Sequence, residues 1–367
     1  MTDQPILVAQ TGGLGRITLN APKALNSLSL PMAQAMQRQL DAWATDDSVA
    51  AVWLEGAGEK AFCAGGDIRA MYEAMTAHPV GERVPGCESF FTEEYVLDYT
   101  LHTYPKPVIV WGSGIVMGGG MGLMCGAAHR LVTETSRLAM PEITIGLYPD
   151  VGGSWFLNRM PNGLGLFLGL TGAQINATDA IATGLADRMV ASTDRDTIIE
   201  TLGTVDLGAD PEETIRSVLH NFEAKAQDQR PASQIDAHLG QIRTLTDHAR
   251  VADVVQAILA VETDDKWMSR AQASLAKGCP MTAHLVAEQI RRSRHLSLAD
   301  VFRMELVMSS RCSMEPDFRE GVRALLIDKD GAPNWAHPSV AAVDASDIER
   351  HFTPPWPDKS PLADLGA

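Results

Sequence analysis

Cysteine is scarce in the 367-residue sequence, and the cysteines that are present do not form motifs. There are five, an odd number, and no two of them make a CxxC pair: Cys63, Cys87, Cys125, Cys279 and Cys312. A disulfide scaffold or a zinc knuckle is therefore disfavoured, and a reducing compartment is indicated. The stretch MTDQPILVAQ at the start lacks both a basic region and a long apolar run, so we expect no targeting signal and a cytoplasmic protein.

Basic side chains are also in short supply. The sequence has 30 lysines and arginines against 46 acidic residues, which gives a formal net charge of −16. Such a charge repels nucleic-acid phosphates and anionic lipid headgroups, so neither is an expected partner. With 45% hydrophobic and 21% charged residues, the composition is that of a folded globular protein.

Long uncharged runs are rare, and residues 108–128 are the notable exception. These 21 residues are numerous enough to cross a bilayer, but seven of them are glycine. Glycine weakens a helix, and buried strand–turn–helix units have the same composition. We therefore expect a buried α/β unit here and no membrane association.

Several motifs of common enzyme classes are missing. The glycine run at 118–122 fails as GxGxxG at Leu123, and there is no P-loop and no HExxH. Ser113 and Ser154 both lack the GxSxG context of a serine nucleophile. His129 lies at a strand edge, where a structural role is more typical than a catalytic one. We expect no metal and no separate cofactor.

The pattern of hydrophobic residues predicts an α/β protein. A hairpin is expected around TGGLG at 11–15, and helical spacing covers 29–44. Asp67 is placed to cap a following helix. Short apolar strands are expected at 49–54, 108–111 and 131–132. Beyond about residue 195 the periodicity is almost entirely helical.

Two kinds of feature could carry chemistry. Glycine-rich turns at 61–72 and 114–123 each lead into a helix, whose free N–H groups could hold an oxyanion, although tight packing alone would also require glycine. Glu142 and Asp150 are carboxylates within an apolar, glycine-rich stretch. Asp150 also fits a turn and helix cap, whereas Glu142 is not at a typical capping position.

At these residues the sequence resembles the enoyl-CoA hydratase/isomerase (crotonase) superfamily. The matching segments, in order, are NAPKALNSLSL at 20–30, AFCAGGDIRAM at 61–71, KPVIVWGSGIVMGGGMGL at 106–123 and RLAMPEITIGLYPDVGGSWFLNRM at 137–160. The resemblance implies an α/β fold, a spiral of ββα repeats with an α-helical C-terminal region. It further implies a core with the acyl-CoA site at 1–195, and a helical region at 196–367 used for packing or oligomerisation.

Within the superfamily, the resemblance is greatest to the hydrolases that act on 3-hydroxyisobutyryl-CoA, an enzyme group of valine catabolism. This group is marked by MPEITIGLYPDVGG at 140–153, FFTEEY at 90–95 and DFREGVRALLIDKDGAPNW at 317–335. The resemblance implies an acyl-CoA substrate, with coenzyme A entering only as part of it. A homo-oligomer is compatible with the resemblance.

The resemblance also assigns site residues. The backbone N–H groups of Gly66 and Gly119 would hold the thioester oxygen, and Glu142 and Asp150 would be catalytic. The substrate would contact Glu94, Gly119, Glu142 and Asp150. The coenzyme A portion would contact Lys23, Ala24, Asp67 and Ile68, although Lys23 could equally be a solvated loop residue.

One comparison within the superfamily separates the reactions. Hydratases use two glutamates, of which the second corresponds to Glu142 and the first to Gly122, which has no side chain. Asp150 stands where hydratases have glycine, as in the hydrolases. Hydrolysis is therefore expected, with Glu142 as nucleophile or as general base. An isomerase or hydratase, and a non-catalytic acyl-CoA-binding protein, remain the alternatives.

Overall fold

The computed structural model describes residues 4–367, so the first three residues of the MTDQPILVAQ stretch lie outside it. Strands β1 (Ile6–Thr11) and β2 (Leu14–Leu19) form an antiparallel hairpin in which Thr11 pairs with Leu14. Gly12, between them, has a φ of +55°, a conformation that glycine adopts without strain. The predicted hairpin is confirmed.

The remaining strands alternate between two sheets. They are β3 (Ala51–Gly56), β4 (Ala61–Cys63), β5 (Val108–Gly112), β6 (Ile115–Met117), β7 (His129–Val132), β8 (Arg137–Ala139) and β9 (Arg188–Met189). The six-stranded sheet has the order β1-β2-β3-β5-β7-β9, and the three-stranded sheet has the order β4-β6-β8. Three successive strand pairs thus give their first strand to the large sheet and their second to the small one. The predicted spiral of ββα repeats is confirmed.

Sixteen α-helices occur within residues 4–367. In the first half of the chain they are α1 (Leu30–Ala44), α2 (Ile68–Thr76), α3 (Pro85–His102), α4 (Gly119–Cys125), α5 (Gly153–Phe156), α6 (Leu164–Thr171) and α7 (Ala177–Ala182). The others are α8 (Arg195–Thr204), α9 (Pro211–Lys225), α10 (Leu239–Thr246), α11 (Val251–Leu259), α12 (Lys266–Lys277), α13 (Pro280–Ser293), α14 (Leu298–Met314), α15 (Pro316–Val322) and α16 (Ala345–His351). The predicted helical character beyond residue 195 is therefore confirmed.

The predicted start of helix α2 is also correct, because the Asp67 side chain accepts a hydrogen bond from the Ala70 amide at 3.2 Å. The sequence did not predict strand β8 or the 3-10 turn Glu142–Ile145, which are too short to produce a periodic pattern. The uncharged run at 108–128 forms β5, β6 and α4, as expected. No helix within residues 4–367 has the length and apolar character needed to cross a membrane.

The chain forms two compact units that are interleaved in sequence. Among the described residues, unit 1 comprises residues 4–66, 97–138 and 175–235, and unit 2 comprises residues 67–96, 139–174 and 236–367. These units group residues by contact and not by activity, so the predicted division into 1–195 and 196–367 remains a prediction.

Unit 1 has a core on one face of the large sheet. The Trp53 and Trp111 rings stack there with their centroids 5.7 Å apart. Helices α8 and α9 cover these rings with buried apolar side chains, namely Ile198, Leu202, Ile215, Leu219 and Phe222. Removing this much apolar surface from water stabilises the parallel strands β3 and β5 of the large sheet.

The close approach of helix α4 to strand β4 depends on Gly120. A methyl group at this position would collide with the carbonyl oxygen of Cys63. We expect G120A to lower the free energy of unfolding by about 1–3 kcal/mol in urea titrations, because backbone must move to admit the methyl group. The matched change G240A, in the first turn of α10 with open space around it, should raise that free energy by about 0.5–1 kcal/mol. A G120A protein as stable as the unchanged one would contradict the close approach.

Candidate active site

Two parallel strands bring the predicted oxyanion-hole glycines together in unit 1. Strands β4 and β6 pair in parallel, so the turns that follow them lie at the same edge of the small sheet. A methyl group placed on Gly65 would lie 3.8 Å from the Gly119 nitrogen. The turn containing Gly66 therefore lies beside the start of helix α4.

The Gly119 amide is the first of helix α4 and has no acceptor within the helix. Gly118, which precedes it, has a φ of +50°. This conformation favours glycine and turns the chain from the strand into the helix. Free amides at a helix start carry a partial positive charge, so this edge of the small sheet can stabilise a developing oxyanion.

Lys23 and Ala24 are exposed on a 3-10 turn, Pro22–Ala24, in the same unit. Backbone hydrogen bonds connect the residues after this turn to the glycine segment: the Ala64 amide donates to the Leu25 carbonyl at 3.1 Å, and the Leu28 amide donates to Gly65 at 2.8 Å. Lys23 and Ala24 are thereby brought close to the predicted oxyanion-hole segment, where their exposure allows ligand contact.

Asp67 and Ile68 begin helix α2. Because the Asp67 side chain caps this helix, its carboxylate has a structural task in addition to any contact with a ligand. Ile68 is half-buried. Their assignment to coenzyme A stays a prediction.

In unit 2, Glu142 is buried at the start of the 3-10 turn Glu142–Ile145. The turn is fixed from outside, because the Cys279 amide donates to the Ile143 carbonyl at 2.9 Å. Gly146, with a φ of +73°, ends the turn. Within residues 4–367 the Oε2 atom of Glu142 is buried without a hydrogen-bond partner. A carboxyl group left in this state is available to a substrate.

Asp150 lies in a strained turn. Val151 has a φ of +53° although it is β-branched, and Gly152 has a φ of +84°. The Glu305 carboxyl group holds the turn by accepting the Gly152 amide at 2.7 Å and the Ser154 amide at 2.9 Å. Strained backbone held by surrounding contacts is typical of functional sites.

A row of hydroxyl groups adjoins Asp150. The Tyr95 hydroxyl is 2.7 Å from Asp150 Oδ2 and 2.6 Å from Ser309 Oγ. Ser309 Oγ is 2.8 Å from the Tyr148 hydroxyl, which donates to the Glu305 carbonyl oxygen at 2.7 Å. The sequence did not predict these contacts. Tyr95 lies in the FFTEEY segment that carried the resemblance, but Ser309 and Glu305 come from a distant helix and have no local signature.

The two predicted catalytic carboxyls influence one another. Burial raises the pKa of both Glu142 and Asp150, and the charge of Asp150 raises the pKa of Glu142 further. No positively charged group of the described chain acts on either pKa. Burial also raises the pKa of Glu305 to about 8. Because their pKa values are raised, Glu142 and Asp150 can act as acid and base near neutral pH.

Glu94 is buried beside Tyr95, and its charge contributes to raising the pKa of that tyrosine. Its contact with the substrate remains a prediction. His129 is buried on β7, 3.0 Å from Glu212, and burial lowers its pKa, which fits a structural role. Across residues 4–367, no three side chains of the His, Cys, Asp or Glu type are arranged to hold a metal ion.

Comparison with known proteins gives consistent relatives. The family described as enoyl-CoA hydratase/isomerase matches residues 14–352. The protein named 3-hydroxyisobutyryl-CoA hydrolase, mitochondrial, of Danio rerio is 38% identical over 350 residues, covering 95% of this chain and 89% of that protein.

Two solved structures are also similar over nearly the full length. One is a carnitinyl-CoA dehydratase from Mycobacterium thermoresistibile, 36% identical with a TM-score of 0.87 and 100% of each chain covered. The other is an enoyl-CoA hydratase from Rhodobacter sphaeroides 2.4.1, 32% identical with a TM-score of 0.84, covering 96% of this chain and 98% of that one. The resemblance found in the sequence is confirmed.

The hold of Glu305 on the Asp150 turn gives a pH-dependent prediction. At pH 5, the free energy of unfolding of E305Q should be about 1–3 kcal/mol lower than that of the unchanged protein. The glutamine NH2 group would face the Gly152 or the Ser154 amide, and that amide would then lack a hydrogen-bond acceptor. The folded protein keeps the Glu305 proton up to about pH 8, whereas the unfolded chain releases it at the ordinary glutamate value of 4.5, so raising the pH from 4.5 to about 8 destabilises the unchanged protein but not E305Q. The deficit of E305Q should therefore shrink at pH 9.

Urea unfolding at the two pH values measures this difference. The control is E349Q, a matched change at an exposed glutamate that pairs with Arg292. The difference in free energy of unfolding between E349Q and the unchanged protein should be the same at pH 5 and pH 9. A deficit of E305Q that grows with pH would show that Glu305 is held as an ion.

Proposed function

The chain belongs to the enoyl-CoA hydratase/isomerase family, and from that premise we propose that it hydrolyses short branched β-hydroxyacyl-CoA thioesters. The preferred substrate is 3-hydroxyisobutyryl-CoA, and the products are 3-hydroxyisobutyrate and coenzyme A. The observation that carries the proposal is the buried pair of Glu142 and Asp150, combined with the absence of a side chain at Gly122.

The names of the relatives leave a choice of reaction. The curated relatives from Danio rerio and Homo sapiens are named as hydrolases, whereas the two solved structures are titled as a hydratase and a dehydratase. Adding water to a double bond requires an acid and a base on the substrate. Gly122 occupies the position of the first hydratase glutamate and supplies neither, which favours hydrolysis.

In the proposed reaction, the Gly66 and Gly119 amides polarise the thioester carbonyl. Glu142 then attacks the carbonyl carbon to form an anhydride, which water hydrolyses to the free acid and Glu142 after the thiolate has left, or it activates a water molecule that attacks the carbonyl carbon directly. The carbon–sulfur bond breaks, and the thiolate leaves with a proton supplied through Asp150. Asp150 also accepts a hydrogen bond from the substrate hydroxyl, and Glu94 contacts the acyl portion.

Recognition of the coenzyme A portion is assigned to residues of two turns. The exposed Lys23 ammonium supplies positive charge for a phosphate, and the backbone at Ala24, Asp67 and Ile68 lines the ligand. Water is the only co-reactant, so the proposal needs no metal and no cofactor. A role in valine catabolism and a homo-oligomeric state belong to the same proposal. The cytoplasmic location stays a prediction, because the relatives from Danio rerio and Homo sapiens are named as mitochondrial.

A panel of three thioesters tests the reaction class. We expect free thiol to be released from 3-hydroxyisobutyryl-CoA, and kcat/KM for isobutyryl-CoA to be at least about tenfold lower, because Asp150 loses the substrate hydroxyl. A 3-enoyl-CoA should be neither isomerised nor hydrated. Conversion of the enoyl thioester without thiol release from the hydroxyacyl thioester would overturn the proposal in favour of an isomerase or hydratase. Tight binding without turnover of any thioester would indicate a non-catalytic binding protein.

A further inference from the structure

Five oxygen atoms form an unbroken row from Asp150 to the backbone of helix α14. The successive distances are 2.7 Å from Asp150 Oδ2 to the Tyr95 hydroxyl, 2.6 Å to Ser309 Oγ, 2.8 Å to the Tyr148 hydroxyl and 2.7 Å to the Glu305 carbonyl oxygen. All four distances are typical of O–H···O hydrogen bonds. Each of the four contacts therefore requires one hydrogen atom between its two oxygens.

The hydroxyl groups supply too few hydrogen atoms when Asp150 is ionised. Tyr95, Ser309 and Tyr148 each carry one, and the Glu305 carbonyl carries none. Three hydrogen atoms cannot supply four hydrogen bonds. In one of the four contacts, two oxygen atoms would therefore face each other with lone pairs and no hydrogen between them. Protonation of Asp150 supplies the fourth hydrogen. Asp150 then donates to Tyr95, Tyr95 to Ser309, Ser309 to Tyr148, and Tyr148 to the carbonyl.

Because the row is buried, water cannot supply the missing hydrogen atom. Tyr95, Tyr148 and Ser309 are each 0% exposed and Asp150 is 4% exposed, so bulk water does not reach the row to fill the missing contact. An unsatisfied polar contact is most unfavourable in such an environment.

We propose that Tyr95, Ser309 and Tyr148 are positioning residues that hold Asp150 as a neutral carboxylic acid in the resting protein. The groups that surround the row favour the same state, because those that ionise within the described chain become negative. They are Glu142 on its 3-10 turn and Glu94 on helix α3. Burial raises the pKa of Glu305 and of Cys312 on helix α14, so both of these groups are protonated at pH 7 and bring no positive charge to the row.

A neutral Asp150 divides the work of the carboxyl pair. Repulsion between the two carboxylates favours a single negative charge on the pair. The hydrogen count of the row decides where the proton lies: it places the proton on Asp150 and leaves the charge on Glu142, the base or nucleophile. This division rests on the proposed function, but the protonation state itself is a property of the resting protein and is measured without substrate.

Infrared spectroscopy of protein labelled with 13C at the aspartate carboxyl group tests the proposal. We expect a C=O band of a protonated acid at pH 7 that shifts with the label and is missing in D150N. Y148F removes two contacts and one hydrogen, so the remaining two hydroxyls suffice for an ionised Asp150. The titration midpoint of the band should then fall by about one pH unit.

S309A interrupts the row at a different point and should lower the midpoint in the same direction, which guards against a folding defect peculiar to Y148F. The matched control is Y104F, which removes a tyrosine hydroxyl that donates to the Leu40 carbonyl in unit 1, and it should leave the midpoint unchanged.

Loss of a hydroxyl that served only to solvate Asp150 would raise the midpoint. A raised or unchanged midpoint in Y148F and S309A, or no Asp150 band at pH 7, overturns the proposal. None of these outcomes bears on whether thioesters are hydrolysed, so the two proposals fail separately.

Discussion

Two carboxyl groups, Glu142 and Asp150, are buried together, and no cationic side chain within residues 4–367 offsets their charge; much of unit 2 supports that arrangement. Taking one charge out of water is unfavourable, and placing a second like charge beside it is more so. The pair therefore holds its proton to a higher pH than exposed carboxyls do. The contact from Cys279, the grip of Glu305 and the strained Val151 all fix the backbone that carries the pair. A site maintained at this energetic disadvantage indicates chemistry that uses the shifted pKa values.

The sequence predicted those features that have a local cause. The Asp67 cap, the hairpin and the glycine turns follow from residue preferences within a few positions. The resemblance also singled out Glu142 and Asp150, both of which the structure places in one buried pair. What could not be predicted depends on contacts between distant segments. From helix α14, about 150 positions later, Ser309 bonds the Tyr95 hydroxyl that contacts Asp150, and Glu305 bonds the turn after Asp150; neither residue type signals such a partner in advance.

The fold alone does not select the reaction, because structures titled as a hydratase and a dehydratase share it. The choice depends on which positions bear carboxyl groups. Gly122 provides none, and Asp150 provides one at the end of a hydroxyl row that also includes Ser309, a residue outside the motifs that carried the resemblance. The amides of Gly66 and Gly119, by contrast, require only backbone, and glycine at these turns lets β4 and α4 approach closely enough to provide them.

The most direct test of the account is the rate of thiol release by E142Q, measured beside its affinity for coenzyme A. Glutamine keeps the size of the side chain but removes its charge and its basicity. The account predicts that kcat for 3-hydroxyisobutyryl-CoA falls by at least about a hundredfold while coenzyme A binds as before. Turnover by E142Q at the rate of the unchanged protein would contradict the assignment of Glu142 as the group that attacks or activates water.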